Sequence, residues 1–86
     1  MYSLIYLNGA QKQLGRLDHS TALRIKRKLD WLMENVENVE PEWLHSNLSG
    51  LAKLREGDFR IIYEIRHESD QVLIHDIGHR SEIYKR

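Results

Sequence analysis

The most constraining feature of the sequence is LAKLREGDFRIIYEI, residues 51–65. Apolar and polar residues alternate on both sides of Glu56-Gly57, which predicts two antiparallel strands joined by a tight turn. One face of this hairpin is apolar and is expected to line the core: Ala52, Leu54, Phe59, Ile61, Tyr63 and Ile65. The opposite face carries Leu51, Lys53, Arg55, Asp58, Arg60, Ile62 and Glu64.

A two-residue loop at Glu56-Gly57 would put Lys53 directly opposite Arg60. Like charges in that position destabilise a strand pair, by under about 1 kcal/mol for exposed side chains. Two explanations are open: the long side chains diverge into solvent, or an anion lies between them. Replacing Arg60 by alanine is expected to leave the fold intact and even to relieve repulsion from Lys53, whereas a large loss of stability would count against an anion site.

The rest of the chain predicts elements that cover the apolar face. Residues 2–7 read as an opening strand, and a first helix is expected to begin at Asn8 or Gly9. A second helix, capped by Asp18 or Ser20, is indicated by apolar residues spaced three and four apart. This apolar stripe consists of Ala22, Ile25, Leu29, Leu32 and Val36. Residues 71–77 add a third strand to the hairpin. The predicted fold is therefore α+β, with an opening strand, two helices and a three-strand antiparallel meander, the helices packing on one face of the sheet.

Composition narrows the functional classes. The 86 residues are expected to form one domain, 1–86, and 13 basic and 13 acidic residues give no net charge. The chain has no cysteine, which excludes disulfides and cysteine metal sites, and the spacing of His67, His75 and His79 does not favour a metal. No segment resembles a secretion signal or a membrane span, so a cytoplasmic protein with no membrane contact is expected.

Cations are nevertheless concentrated locally. Arg24, Lys26, Arg27 and Lys28 crowd the second helix, where they form either a solvated face or a phosphate-binding patch. The C-terminal segment adds His79, Arg80 and Tyr84. Arginine presents a planar fork that suits phosphate, and histidine or tyrosine can move a proton. The sequence contains no P-loop, G-x-G-x-x-G, H-E-x-x-H or G-x-S-x-G motif.

LAKLREGDFRIIYEI followed by IGHRSEIY resembles the RelE/ParE toxin family, in particular its RelE-like mRNA interferase branch. The resemblance covers essentially the whole chain. It implies the toxin of a type II toxin–antitoxin module, with a cognate antitoxin, the ribosome and mRNA as partners. It also implies cleavage of mRNA in the ribosomal A site without metal or cofactor, by attack of the RNA 2′-hydroxyl on the adjacent phosphate.

By position, the resemblance implies four catalytic residues, which are Lys53, Arg60, Arg80 and Tyr84. Arg60 and Arg80 would hold the scissile phosphate, and Lys53 would stabilise charge or assist the 2′-hydroxyl. Tyr84 would orient that hydroxyl or move a proton. The residues expected to bind RNA are Arg55, His79, Lys26 and Arg27.

Two features depart from the ribosome-dependent relatives. Leu51 stands where a second lysine is often found, and the chain is neutral where those relatives are usually basic. Two other functions therefore stay open: inhibition of DNA gyrase, as in ParE-like toxins, and a catalytically weak binding protein with the toxin fold.

Overall fold

A computed structural model of the chain describes residues 1–44 and 50–83. Its strands form one five-stranded sheet in the order β1-β5-β4-β3-β2. The strands are β1 (Ser3–Tyr6), β2 (Glu42–Trp43), β3 (Leu51–Glu56), β4 (Phe59–Arg66) and β5 (Gln71–His79). The helices are α1 (Asn8–Arg16), α2 (His19–Glu34) and the short α3 (Arg80–Ile83), and a single 3₁₀ turn spans His67–Ser69. None of the helices in these two ranges is long and apolar enough to cross a membrane.

The predicted α+β architecture is confirmed, with two additions. β3, β4 and β5 form the expected antiparallel meander, and the opening strand β1 pairs in parallel with β5. The strand β2, at the far edge of the sheet, pairs antiparallel with β3 and was not predicted. A strand of two residues is too short to display alternation, so the sequence pattern gives no signal for β2. The C-terminal helix α3 was also not predicted.

Helix α2 begins where its capping residue indicates. The side chain of Asp18 accepts a hydrogen bond from the backbone N–H of Thr21 at 3.1 Å, which satisfies one of the free donors of the first turn. Hydrogen bonds from Thr21, first from its side chain and then from this backbone N–H, lower the pKa of the Asp18 carboxyl. Three residues of the apolar stripe are fully buried against the sheet, namely Ile25, Leu29 and Leu32. The core thus lies between the two long helices and one sheet face, as predicted.

The hairpin turn differs from the expected one. The loop is Gly57-Asp58, with Glu56 paired to Phe59, and Gly57 has a φ of 58°. Glycine at the first loop position is what a type II′ turn requires, and this preference sets the register. Arg60 consequently lies opposite Arg55, whereas Lys53 lies opposite Ile62, so the predicted Lys53–Arg60 pair is wrong.

The predicted faces survive this error. Moving the turn by one residue shifts every pair by two positions along one strand, which returns each side chain to the same face. Ala52 and Tyr63, which are opposite one another, are both buried in the core. The sheet face away from α1 and α2 is called the outer face below, and it carries Lys53, Arg55 and Arg60.

Candidate functional site

The cations of the outer face meet a carboxylate from the edge strand β2. Glu42 is the register partner of Lys53, whose Nζ lies 3.1 Å from Glu42 Oε2. Arg55 binds the same carboxylate through two nitrogens. Its Nη2 donates to Oε2 at 2.8 Å, and its Nε donates to Oε1 at 3.2 Å. The hydrogen bonds from Arg55 and then Lys53 lower the pKa of Glu42 to about 2. An ionised carboxylate therefore lies between two of the cations at neutral pH.

Arg60 is held at the hairpin turn. Among the described residues it is the one charged residue that is buried, with 8% of its surface exposed. Its Nη1 donates to the backbone carbonyls of Gly57 and Phe59, each at 2.9 Å. Within residues 1–44 and 50–83, both bonds use the same nitrogen, so the edge formed by Nε and Nη2 is not engaged. Arg60 therefore supports the turn through one end of its guanidinium group.

Arg80 reaches the same turn from the first residue of α3. Its backbone N–H donates to the Asp58 carbonyl at 2.8 Å, and its Nε lies 3.6 Å from Asp58 Oδ1. The Arg80 side chain is exposed, in contrast to that of Arg60. The structure thus brings two of the predicted phosphate-binding arginines to one turn, one buried and one accessible.

His79 lies apart from the outer-face cations. Its register partner is Phe59, which packs against the core, and the two rings meet edge to face at 5.6 Å. The backbone N–H of Ser81 donates to His79 Nδ1 at 3.1 Å. A neutral His79 that accepts this bond carries its proton on Nε2. Tyr84, the remaining predicted catalytic residue, lies outside the described residues.

Lys26 and Arg27 are not brought to the outer face, because they are exposed on α2, in the layer of helices. Arg27 lines a shallow groove of about 310 Å³ on the surface of α2. The other residues lining the groove are Arg24, Lys28, Trp31 and Glu56. The ammonium of Lys28 lies 4.6 Å from the centre of the Trp31 ring, and Arg24 is 3.7 Å from Glu56. The prediction of RNA binding by Lys26 and Arg27 therefore concerns a surface separate from that of Lys53 and Arg60.

A second ionic group follows a bulge in β5. Ile62 pairs with Asp76 but its neighbour Tyr63 pairs with Ile74, so His75 is left without a partner in the ladder. His75 Nε2 lies 2.8 Å from Oε1 of Glu64, whose other oxygen accepts from Arg66 Nε at 2.8 Å. The bond from Arg66, followed by that from His75, lowers the pKa of Glu64.

Sequence reasoning missed the most direct partner of the predicted site, Glu42. It lies 11 positions before Lys53 and belongs to β2, outside the hairpin whose alternation predicts the cationic face. A metal centre would require several ligating side chains close together. In residues 1–44 and 50–83, no group of three or more potential metal ligands lies close enough together to hold an ion.

The chain is similar to known toxins by sequence pattern and by fold. The family model of the ParE toxin of the type II toxin–antitoxin system parDE matches residues 4–84. The RelBE2 toxin–antitoxin complex of Mycobacterium tuberculosis contains a chain with 25% identity and a TM-score of 0.79, with coverage of 92% of this chain and 98% of that one. The isolated RelE toxin of Escherichia coli shares 24% identity at a TM-score of 0.80, over 99% and 93% of the two chains.

A more divergent structure has the same fold. The RelB–RelE complex of Methanococcus jannaschii contains a chain with 19% identity and a TM-score of 0.71, matched over 94% of this chain and 95% of that one. No sequence among the curated proteins matches the chain. The similarity therefore lies in the family pattern and the fold, both of which extend over nearly the full length.

Proposed function

The chain belongs to the ParE toxin family of type II toxin–antitoxin systems, and on this premise we propose that it is a metal-independent endoribonuclease that cuts mRNA in the ribosomal A site. Its fold is that of the RelE toxins. The cytoplasm, where ribosomes translate, is the proposed place of action.

One observation carries the proposal: Arg60 and Arg80 converge on the Gly57-Asp58 turn, and Lys53 lies on the same outer face as Arg60. In the proposed reaction, the 2′-hydroxyl of one nucleotide attacks the adjacent phosphorus. A bond to the 5′-oxygen of the next nucleotide breaks, leaving a 2′,3′-cyclic phosphate and a free 5′-hydroxyl. Negative charge grows on the phosphate during this step, and fixed cations stabilise it more than they stabilise the substrate.

Each predicted catalytic residue has a proposed role in this reaction. Arg80, which is accessible, and Arg60 bind the non-bridging phosphate oxygens. Lys53 stabilises the developing charge. Tyr84 is proposed to orient the 2′-hydroxyl or to move a proton, a role that rests on the sequence resemblance. His79 is a further candidate for moving a proton, a role that also rests on the sequence resemblance.

A cognate antitoxin is the proposed partner. Several of the similar solved structures are complexes of a toxin with its antitoxin, from Mycobacterium tuberculosis, Escherichia coli and Pyrococcus horikoshii among others. By analogy, a protein encoded with this chain is proposed to bind it and to suppress its activity.

The second candidate function is inhibition of DNA gyrase, since the family model that matches the chain is that of the ParE toxins. The two functions leave different traces after expression in cells. A ribosome-dependent nuclease yields mRNA fragments cut within codons, whereas a gyrase inhibitor yields DNA damage with intact mRNA. A protein that gives neither trace, and no arrest of growth, would be a toxin-fold binding protein.

Single-turnover cleavage of mRNA on programmed ribosomes tests the proposal directly. Because Arg80 is exposed, Arg80→Ala should leave the fold intact and lower the cleavage rate by about 10²–10³, the usual cost of removing one charge-stabilising group. Arg16→Ala removes an exposed arginine at the end of α1 and serves as the matched control, with a rate close to wild type. Equal rates for the two variants, or no cleavage by the wild type, would overturn the proposal.

A further inference from the structure

The carboxylate of Glu42 chemically resembles an RNA phosphate, the group that Lys53 and Arg55 are proposed to bind. A forked guanidinium and an ammonium are the groups that proteins use for both carboxylates and phosphates. Arg55 engages both oxygens of Glu42, and Lys53 approaches one of them at 3.1 Å. Two oxygens sharing a negative charge are likewise what a phosphodiester offers. The same cations can therefore bind either group, and both groups cannot occupy the position at once.

The carboxylate is also accessible to a competitor. The side chain of Glu42 is 46% exposed and that of Arg55 is 57% exposed, while Lys53 is more enclosed at 20%. β2 itself is held by two residue pairs and by a bond from the Leu44 N–H to the Leu51 carbonyl at 2.9 Å. A two-residue strand at a sheet edge can separate at a lower cost in free energy than an internal strand.

We propose that Lys53 and Arg55 form a phosphodiester-binding site which Glu42 occupies in the unbound protein, so that RNA must displace this carboxylate to bind. The identity of the ligand as RNA rests on the function proposed above. The competition itself is a property of the three side chains. In the unbound protein, the anion between Lys53 and Arg55 is supplied by the protein itself.

Protonation of Glu42 cannot release Lys53 and Arg55 at physiological pH. The pKa of Glu42 is held at about 2 by Arg55 and Lys53, so the carboxylate stays ionised throughout the range in which cells live. Displacement must therefore come from a competing anion. A substrate that also engages Arg60 and Arg80 gains contacts that Glu42 does not make in the structure, which favours a polyanion over a single phosphate.

The test is the binding of a ligand that cannot be cleaved. Inorganic phosphate and a short oligonucleotide with 2′-deoxyribose at every position are titrated against wild type, Glu42→Gln and Glu40→Gln. Glu42→Gln removes the carboxylate that competes for Lys53 and Arg55, together with its two ion pairs. The oligonucleotide should therefore bind about three- to tenfold more tightly to Glu42→Gln than to the wild type. Glu40→Gln removes the same charge from an exposed residue two positions earlier and should bind as the wild type does. Equal affinities for the two variants would overturn the inference.

The oligonucleotide lacks the attacking hydroxyl, so this experiment is independent of catalysis. Tighter binding by Glu42→Gln, together with no cleavage of mRNA on programmed ribosomes, would sustain the inference and refute the proposed function. Cleavage with equal affinities would do the reverse.

A measurement on the wild type decides the matter if Glu42→Gln does not fold. The carboxyl carbon of Glu42 is followed by NMR at about pH 3.5, between the pKa of about 2 in the free protein and the ordinary value of 4.5. Displacement by the oligonucleotide should protonate most of the released carboxyl and move its signal to that of an unpaired glutamate. A signal that stays at the ionised position in the saturated complex would refute the inference.

Discussion

Arg60→Ala is expected to destabilise the protein, contrary to what the sequence alone predicts. The substitution removes the donor that bonds the carbonyls of Gly57 and Phe59, each at 2.9 Å. Hydrogen bonds from a charged donor contribute about 1.5–3 kcal/mol each. Rehydration of these two carbonyls at the turn, and relief of repulsion from Arg55 directly opposite, offset part of the loss. A net decrease of about 2–4 kcal/mol in the free energy of unfolding follows from these terms.

Thermal and urea melts measure this decrease. For a domain of this size, 1 kcal/mol shifts Tm by about 4–8 °C, so Arg60→Ala should melt about 8–32 °C below wild type. Arg60→Lys keeps the charge and the long stem but not the fork, and should fall between the two. Arg66→Ala removes an exposed arginine from the same strand and should melt within about 2 °C of wild type. If Arg60→Ala also melted within about 2 °C, Arg60 would not support the turn.

Three further predictions concern other parts of the molecule. Gly57→Ala should lower the free energy of unfolding by about 1–2 kcal/mol, because φ is 58° and the new Cβ would lie 3.0 Å from Arg24 Nη2. Gly15→Ala lies in a helix with open space around the site, and in the same denaturant melts it should raise the free energy of unfolding by up to about 1 kcal/mol. Because the folded pKa of Glu42 is lowered from 4.5 to about 2, its contribution to stability is complete above about pH 4.5 and is lost as the pH falls toward 2. Acid melts of Glu42→Gln should lack this part of the pH dependence, and identical profiles would contradict the ion pairs. Tyr84→Phe should slow single-turnover cleavage by about 10²–10⁴-fold without weakening ribosome binding, and a rate within about threefold of wild type would remove its hydroxyl from the mechanism.

The parts of the fold that sequence reasoning predicted are those governed by local periodicity. The stripe of α2 includes Ile25, Leu29 and Leu32, which are fully buried, and the cap is Asp18, one of the two residues predicted for it. The faces of the hairpin were also predicted correctly. Burial depends on the period of the pattern, and this period is visible in the sequence.

The register of the hairpin could not be predicted in the same way. Loops at Glu56-Gly57 and at Gly57-Asp58 give the same alternation and the same faces, so the apolar pattern does not distinguish them. The choice depends on which loop position the glycine occupies. For the candidate site, the sequence pattern placed Lys53, Arg55 and Arg60 on one face of the hairpin, and their catalytic or binding roles stay a prediction. It does not reveal Glu42, because a contact between separate strands leaves no local pattern.

The parallel pairing of β1 with β5 has a consequence for synthesis of the protein. Residues 3–6 pair with residues 71–74, and β5 lies between β1 and β4 in the sheet. β1 therefore waits for nearly all of the intervening chain to be translated before it finds its neighbour, and contacts so distant in sequence slow folding. During that interval the nascent chain has no complete sheet, and Arg80, which follows β5, has not yet joined the hairpin turn. The sheet of this protein can therefore be completed only after residues 71–74 have been synthesised.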